Sequence, residues 1–354
     1  MSRLKVGILF GGVSGEHEIS LLSARSVIQA LDKDRYDIVP IGITKEGEWL
    51  TQGDPMSALE GRAGEDRRDV VDRVARALTK ASTLPNPFPQ VNVVLPLLHG
   101  PFGEDGTVQG LLEMANIPYA GAGVLASALG MDKAFMKRVF QQQGLAVPRF
   151  EVVHQTEWAR DSESVLTSAG GLGYPLFVKP VNGGSSVGIS KVPNPQTLPG
   201  ALGLAFRYSR KVVLEETIEA REIECSVLGN DDPRVSIPGE VVCASDFYDY
   251  DAKYADSGTR LVIPAVLEPG LVPRFQELAL AAFRAIDCRG MARVDFFLRR
   301  DDGAILVNEI NTIPGFTPMS MFPRLWEASG VSFTELVDTL IQLALEEHAD
   351  KTGR

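Results

Sequence analysis

The chain has 354 residues, 44% of them hydrophobic and 23% charged, with a formal net charge of −11 at pH 7. That length holds two or three domains at about 150 residues each, the composition excludes a mainly disordered protein, and the acidic balance excludes a general nucleic-acid binder. Any polyanionic ligand must therefore meet local cations. No apolar run approaches the ~20 residues of a membrane span, and Met1-Ser-Arg-Leu-Lys leads into a strand instead of a cleavable leader, so a cytoplasmic protein with no membrane partner is expected. Cys225, Cys243 and Cys288 lack zinc or redox spacing and read as small buried hydrophobes.

In chain order, residues 5–10 form an apolar strand, followed by a turn containing Gly11, Gly12 and Gly15 and a helix predicted over 18–31. Phe10 stands where a dinucleotide fingerprint needs its first glycine, which weakens that reading. Free N–H groups at a helix start favour an anion such as a carboxylate, and Glu16 beside them is suited to an ammonium; together they suit a small amino acid. The alternative is that Glu16 is only a favourable first-turn acid. Strands over 37–43 and 91–95 complete an open α/β unit with ligand loops at its strand ends. A helix is expected over 69–81, without evident chemistry. The loop from His99 to Gly110 packs four glycines into twelve positions, a composition for close backbone approach. His99 is either a base or, as we prefer, a donor that orients a substrate or neighbouring group.

A helix over 132–143 places Phe135, Met136, Val139 and Phe140 on one face and stops at Gly144. Lys133 occupies its first turn, where the helix dipole disfavours a cation, so a ligand for it is implied. A strand over 175–179 leads into a glycine-serine loop, and another strand covers 211–215. The loop after Lys179 lacks the Walker order and is not a P-loop. Small residues there suit either a flap whose N–H and hydroxyl groups cover phosphates beside the lysine or a flexible surface loop. Beyond residue 219 come strands over 222–228 and 239–243 and a polar loop with Tyr248, Tyr250, Lys253 and Tyr254, read as a lid or as locally packed rings. A helix over 272–286 follows. Ser332 and Glu335 form a capping box for a last helix that buries Phe333, Leu336, Val337, Leu340, Ile341 and Ala344.

Before that helix, strands over 291–298 and 304–311 are joined by Asp301-Asp302-Gly303. If Arg300 pairs with Ala304 across a three-residue loop, Asp295 lies opposite Glu309 and Arg293 opposite Asn311 on one face. Facing like charges are destabilising, so this register needs a cation between them. An all-oxygen set suits Mg²⁺, which takes one or two protein carboxylates and fills its shell with phosphate and water. The competing reading is a solvated face in another register. The turn from Asn311 through Pro314 and Gly315 to Pro318 is placed for a second substrate to meet the metal.

Taken together, Gly-Gly-Val-Ser-Gly-Glu-His-Glu-Ile-Ser, His-Gly-Pro-Phe-Gly-Glu-Asp-Gly-Thr, the Lys-Pro and Gly-Ser-Ser-Val-Gly flap, Tyr-Asp-Tyr-Asp-Ala-Lys-Tyr, and Arg-Val-Asp with Asn-Glu-Ile-Asn-Thr-Ile-Pro-Gly resemble the D-alanine:D-alanine ligase family over nearly the whole chain. The resemblance implies an ATP-grasp fold, α/β overall and α+β in the ATP-binding part. It places a substrate-binding domain at 1–121 before two domains, 122–218 and 219–354, that sandwich ATP. It implies a cytoplasmic homodimer acting on D-alanine and ATP in peptidoglycan precursor synthesis, with no nucleic-acid or membrane partner.

On that resemblance Lys133 and Lys179 contact ATP phosphates, Glu215 and the Ile218 backbone read the adenine, Glu222 holds the ribose, and Phe297 is a further ATP-binding residue. Asp295, Glu309 and Asn311 bind two Mg²⁺, or alternatively Mn²⁺, while Arg293 stabilises charge on the reacting groups. Ser185 and Tyr254 join Glu16 and His99 around the first D-alanine, and Lys253 approaches the γ-phosphate. Gly315, Ser320 and Met321 receive the second D-alanine's carboxylate. Met319 and Met321 depart from what relatives often carry, which matters only if side chains make those contacts. The rivals are a D-alanine:D-lactate ligase, whose relatives depart from the Lys253-Tyr254 pair, and a nucleotide sensor, which should have lost metal ligands or Arg293.

Overall fold

The structure is a computed structural model and describes residues 3–60, 88–184, 187–242 and 259–353. The expected helix over 69–81, Ser185, Cys243, Tyr248, Tyr250, Lys253 and Tyr254 lie outside the described residues. Among those described, no helix is long and apolar enough to cross a membrane.

Three sheets follow one another along the chain. The first contains β1 (Leu4–Gly11), β2 (Tyr36–Ile43), β3 (Trp49–Leu50) and β4 (Val93–Pro96) in the order β3-β2-β1-β4. β1 runs parallel to β2 and β4, with helix α1 (His17–Ala30) as the crossover to β2, as a parallel pair requires. Gly11, at φ +92, turns the chain from β1 toward α1, and a Cβ there would lie 2.2 Å from the Ile43 carbonyl oxygen; only glycine fits. Helices α2 (Pro55–Glu60), α3 (Thr107–Met114), α4 (Val124–Met131) and α5 (Lys133–Gln142) follow in sequence.

The second sheet, β5 (Phe150–His154), β6 (Leu176–Pro180), β7 (Ser190–Val192) and β8 (Lys211–Glu216), is antiparallel in the order β5-β8-β6-β7. It packs on α6 (Gln155–Arg160), α7 (Ser162–Leu172) and α8 (Leu198–Ala205). The third consists of β9 (Ala220–Gly229), β10 (Arg234–Val235), β11 (Gly239–Val242), β12 (Arg260–Val262), β13 (Gly290–Arg299) and β14 (Ile305–Asn311). Its order is β12-β11-β9-β13-β14, with β10 on β9. Along β13, Val294, Phe296 and Leu298 point into a core shared with Phe275 and Phe283 of helix α9 (Leu271–Ala285), and Arg293, Asp295 and Phe297 alternate onto the more open face, as the two-residue period of a strand dictates. Helix α10 (Met321–Ala328) and the capped α11 (Phe333–Thr352) end the chain. Leu336, Val337, Leu340 and Ile341 of α11 pack with Val6, Ile8 and Phe10 beneath the first sheet.

α5 lies at the seam between the second and third sheets. Its Met136 and Phe140 belong to the third sheet's core, while Ala134 packs with Val181 and Val213 on the second sheet's side. The expected apolar face needs one correction. Phe135 is half exposed, with the Lys211 ammonium 4.4 Å from its ring centroid, and the buried face instead includes Lys137. Residues four apart share a helix face, so the buried stripe through 136 and 140 runs beside 133 and 137 and leaves 135 outside.

The β13–β14 hairpin also departs from expectation at its turn. Arg299, not Arg300, bonds Ala304, with N to O at 2.9 Å, and the Arg300 N–H donates to Glu219. The loop therefore has four residues. Phe296 pairs with Val307, yet Asp295 pairs with Glu309 and Arg293 with Asn311, because a β-bulge at Asn308 intervenes. One inserted residue restores the register that the longer loop had shifted.

Candidate active site

Two connected cavities occupy the space bounded by these elements. The larger, about 840 Å³, is lined by Glu16, His99 and Glu104 from the first sheet's loops, by Asn311, Gly315, Ser320 and Met321, and by Lys133, Glu224, Arg293 and Glu309. The smaller, about 160 Å³, lies between the second and third sheets against Lys179, Glu215, Ile218, Glu222, Asp295 and Phe297. Lys133, Glu224, Arg293 and Glu309 line both, so the two spaces meet at these four charged side chains.

On the side of the first sheet, Glu16 is the N-cap residue of α1, but its side chain makes no capping bond. That speaks against a purely helix-stabilising acid. The flap backbone approaches it closely: a Cβ on Gly184 would sit 3.2 Å from Glu16 Oε2. His99 is buried, with Nδ1 3.2 Å from the Ile313 carbonyl oxygen and 4.0 Å from Glu104 Oε1. Its Nε2 is buried and has no hydrogen-bond partner among the described residues. Burial would depress the imidazole pKa, but Glu104 and Glu16 outweigh it and raise the value. With its protonated form favoured by these carboxylates and one nitrogen to spare, the imidazole suits a carboxylate-bearing substrate.

Across the smaller cavity, β6 and α5 supply cations and β8 a carboxylate. Asp132 caps α5 by accepting from the Ala134 and Phe135 N–H groups, and Lys133 reaches the Gly183 carbonyl at 2.6 Å. Glu215 is held between two ammonium groups, Lys179 at 2.5 Å and Lys137 at 2.7 Å. Desolvation would raise its pKa, yet the attraction of Lys137 and then Lys179 prevails and holds the carboxyl at about 2.

The third sheet presents carboxylates on the opposite wall. Glu224, Asp295 and Glu309 lie side by side on β9, β13 and β14 in direct register. Arg293 binds Asp295 through two N–H···O bonds of 2.7 and 2.8 Å and reaches Glu224 at 2.9 Å; Asn311 donates to the same Asp295 at 3.0 Å. Burial would weaken the Arg293 charge, but Asp295 and Glu224 hold its pKa well above the ordinary value. Phe297 lies opposite Glu222 in the β13–β9 register. No group of three or more His, Cys, Asp or Glu side chains converges in a metal-ready cluster among the described residues. Mg²⁺ needs only one or two such carboxylates, and hard oxygen donors from Asp295, Glu309 and Asn311 fit it.

At the far end of the larger cavity, Gly315 lies against Ser320, whose hydroxyl accepts from the Thr317 N–H at 3.1 Å at the start of α10. Met321 packs with Val241 and Leu325 in an apolar cluster, whereas Met319 is largely exposed. Sequence reasoning missed Glu104, Lys137 and Glu224. The signals were present: Glu104 follows the glycines of the His99 loop, Lys137 lies one turn from Lys133, and Glu224 is two residues from Glu222 on one strand.

This arrangement has close counterparts. A model of the D-ala D-ala ligase N-terminus matches residues 5–122, and one of its C-terminus matches 139–342. The D-alanine--D-alanine ligase of Thermoanaerobacter sp. (strain X514) is 51% identical over 99% of each chain, and that of Natranaerobius thermophilus is 45% identical over 99% of this chain and 97% of its own. Among solved structures, the D-alanine-D-alanine ligase of Coxiella burnetii superposes with a TM-score of 0.82 at 34% identity, covering 100% of this chain and 97% of that one. The VanG D-Ala:D-Ser ligase of Enterococcus faecalis gives 0.81 at 35%, covering 97% and 100%. With its ATP-grasp architecture and both ligase regions matched, the chain belongs to the D-alanine:D-alanine ligase family of enzymes.

Proposed function

We propose that the enzyme joins two D-alanine molecules into D-alanyl-D-alanine for peptidoglycan precursors, converting ATP to ADP and phosphate through a D-alanyl phosphate. The observation that carries the reading is the opposition of charge across the smaller cavity. Lys133 and Lys179 face the space from one side and Asp295 and Glu309 from the other, the setting for a metal-bound triphosphate.

A carboxylate is a poor electrophile until one oxygen becomes a leaving group. The first D-alanine's carboxylate attacks the γ-phosphate, and the second D-alanine's amine then attacks the acyl carbon and expels phosphate. Positioning and charge neutralisation dominate such chemistry. Glu16 holds the first substrate's ammonium, His99 orients that substrate, and Arg293, at the junction of the two cavities, neutralises negative charge on the reacting oxygens. Ser320, Gly315 and the backbone of Met321 take the second carboxylate at the start of α10, where N–H groups favour an anion. Lys133 and Lys179 bind phosphates, Glu222 the ribose, and Glu215, Ile218 and Phe297 surround the base. Asp295, Glu309 and Asn311 hold Mg²⁺, which when bound offsets phosphate charge. The Ser185 flap and the loop carrying Lys253 and Tyr254 exclude water from an acyl phosphate that would otherwise hydrolyse.

Incubation with MgATP and D-alanine, measuring phosphate and dipeptide together, tests this. ADP release should require D-alanine, and L-alanine should not replace it. Equal ADP release with and without D-alanine would sink the reading, and offering D-serine and D-lactate as acceptors separates the related ligations.

A further inference from the structure

Lys137 belongs to none of the roles above, yet it is 1% exposed and lies where the walls of the nucleotide cavity meet. Its ammonium is 2.7 Å from Glu215 Oε2 on β8 and donates at 3.3 Å to the carbonyl of Asn308, the bulged residue of β14. The other oxygen of Glu215 is taken by Lys179 at 2.5 Å. Lys179 lines the cavity, whereas Lys137 does not. A cation withdrawn from a buried carboxylate leaves an uncompensated charge, which is strongly destabilising. Were Lys179 the sole counter-charge of Glu215, it would be locked away from any phosphate.

We infer that Lys137 is a positioning residue for nucleotide binding: it stays with Glu215 as a fixed counter-ion and so frees Lys179 to turn to a phosphate. Its immobility follows from its attachments. α5 carries it between two sheets, and the Asn308 carbonyl holds its second donor. Two lysines on one carboxylate thus divide the work, one neutralising Glu215 and the other exchanging between Glu215 and ligand. The inference rests on the ATP reading above and concerns only how the phosphate contact becomes available.

The test compares ADP with adenosine by calorimetry in metal-free buffer, because the ratio of their affinities isolates the phosphate contribution. Wild-type protein should prefer ADP. In Lys137→Met that preference should fall by about tenfold, the worth of one charged hydrogen bond, with adenosine affinity little changed. In Lys137→Met/Glu215→Gln, where no carboxylate detains Lys179, the preference should return. If Lys137→Met fails to fold, Lys137→Gln removes the charge but retains an amide donor, and carries the same expectation. Equal weakening of ADP and adenosine, or a preference unchanged in a folded variant, would overturn the inference, as would a double variant no better than the single one. Failure of wild-type protein to bind ADP at all would instead remove the nucleotide reading beneath it.

Discussion

The two walls of the smaller cavity solve opposite electrostatic problems. On the wall of β6, β8 and α5, Lys179 at the surface and Lys137 buried behind it bracket Glu215, while Lys133 binds the Gly183 carbonyl. On the wall of β9, β13 and β14, Glu222, Glu224, Asp295 and Glu309 line the space with one arginine, Arg293, which pairs with Glu224 and Asp295. The first wall has cations to spare for a polyanion and the second has a surplus of carboxylates, which on adjacent strands repel one another. A triphosphate alone would satisfy the first wall and aggravate the second; a triphosphate carrying divalent cations satisfies both. The walls should therefore fail differently, the acidic one in turnover and metal dependence, the basic one in nucleotide affinity.

The largest effect is expected on the acidic wall. Glu309→Gln keeps the size and packing of the side chain but removes a charge facing Asp295, and turnover should fall on the order of 10²–10³-fold, the range seen when one group that stabilises transition-state charge is lost. Melting temperature should hold or rise slightly because a repulsion has gone. Near wild-type turnover at limiting Mg²⁺ would show that this wall does not hold the metal.

On the basic wall, Lys179→Met should raise the KM for ATP by roughly ten- to a hundredfold, the loss of a hydrogen bond to a charged group, while the KM for D-alanine stays put. Glu215 remains paired with Lys137, so the fold should survive. A rise in both KM values would merge the two walls into one function. Glu215 gives the same wall a signature in pH. Its carboxyl is held at about 2 against an ordinary 4.5, so its stabilisation is complete above the unfolded value and drains away as pH falls through 4.5 toward 2. Melting curves of wild type and Glu215→Gln should differ most near neutrality and converge across that acid window.

Much of this contrast is legible in the sequence, though not always for the right reason. The facing pair Asp295 and Glu309 follows from a simple hairpin count, but the actual loop is one residue longer and the bulge at Asn308 cancels the error. A bulge has no strong local signature, because it is set by what the strand packs against, here including the Lys137 ammonium. Lys137 itself is hidden by its charge: pattern reading assigns lysine to solvent, and only the tertiary partner Glu215 explains its burial. The final helix is the opposite case. Ser332 accepts from the Glu335 N–H and Glu335 accepts in return, a cap encoded within four residues and therefore readable. β7 of the second sheet spans only three residues, too few to show an alternating pattern.

The smallest expected effect concerns the proposed lid. The family resemblance implies that Tyr254 joins Ser185 and Glu16 around the first D-alanine, and we propose that its hydroxyl helps to hold the loop closed there. The close approach of Gly184 to Glu16 Oε2 is consistent with a flap that uses Glu16 as its anchor. D-alanine enters mostly as an ammonium ion and must lose a proton before attack, whereas D-lactate is already neutral at its nucleophilic oxygen, so a loosened lid should relax the choice between them. Removing one hydroxyl bond typically costs about 0.5–1.5 kcal/mol, too little to abolish nucleotide binding between the walls. Tyr254→Phe should therefore leave the KM for ATP within about threefold of wild type and still make D-alanyl-D-alanine. With both acceptors present it should gain measurable D-alanyl-D-lactate, most at the lower pH where free amine is scarce. Mass spectrometry of the products across a pH series reads the ratio directly, and a ratio unchanged from wild type would assign acceptor choice to the cavity floor at Ser320 and Met321 instead of the lid.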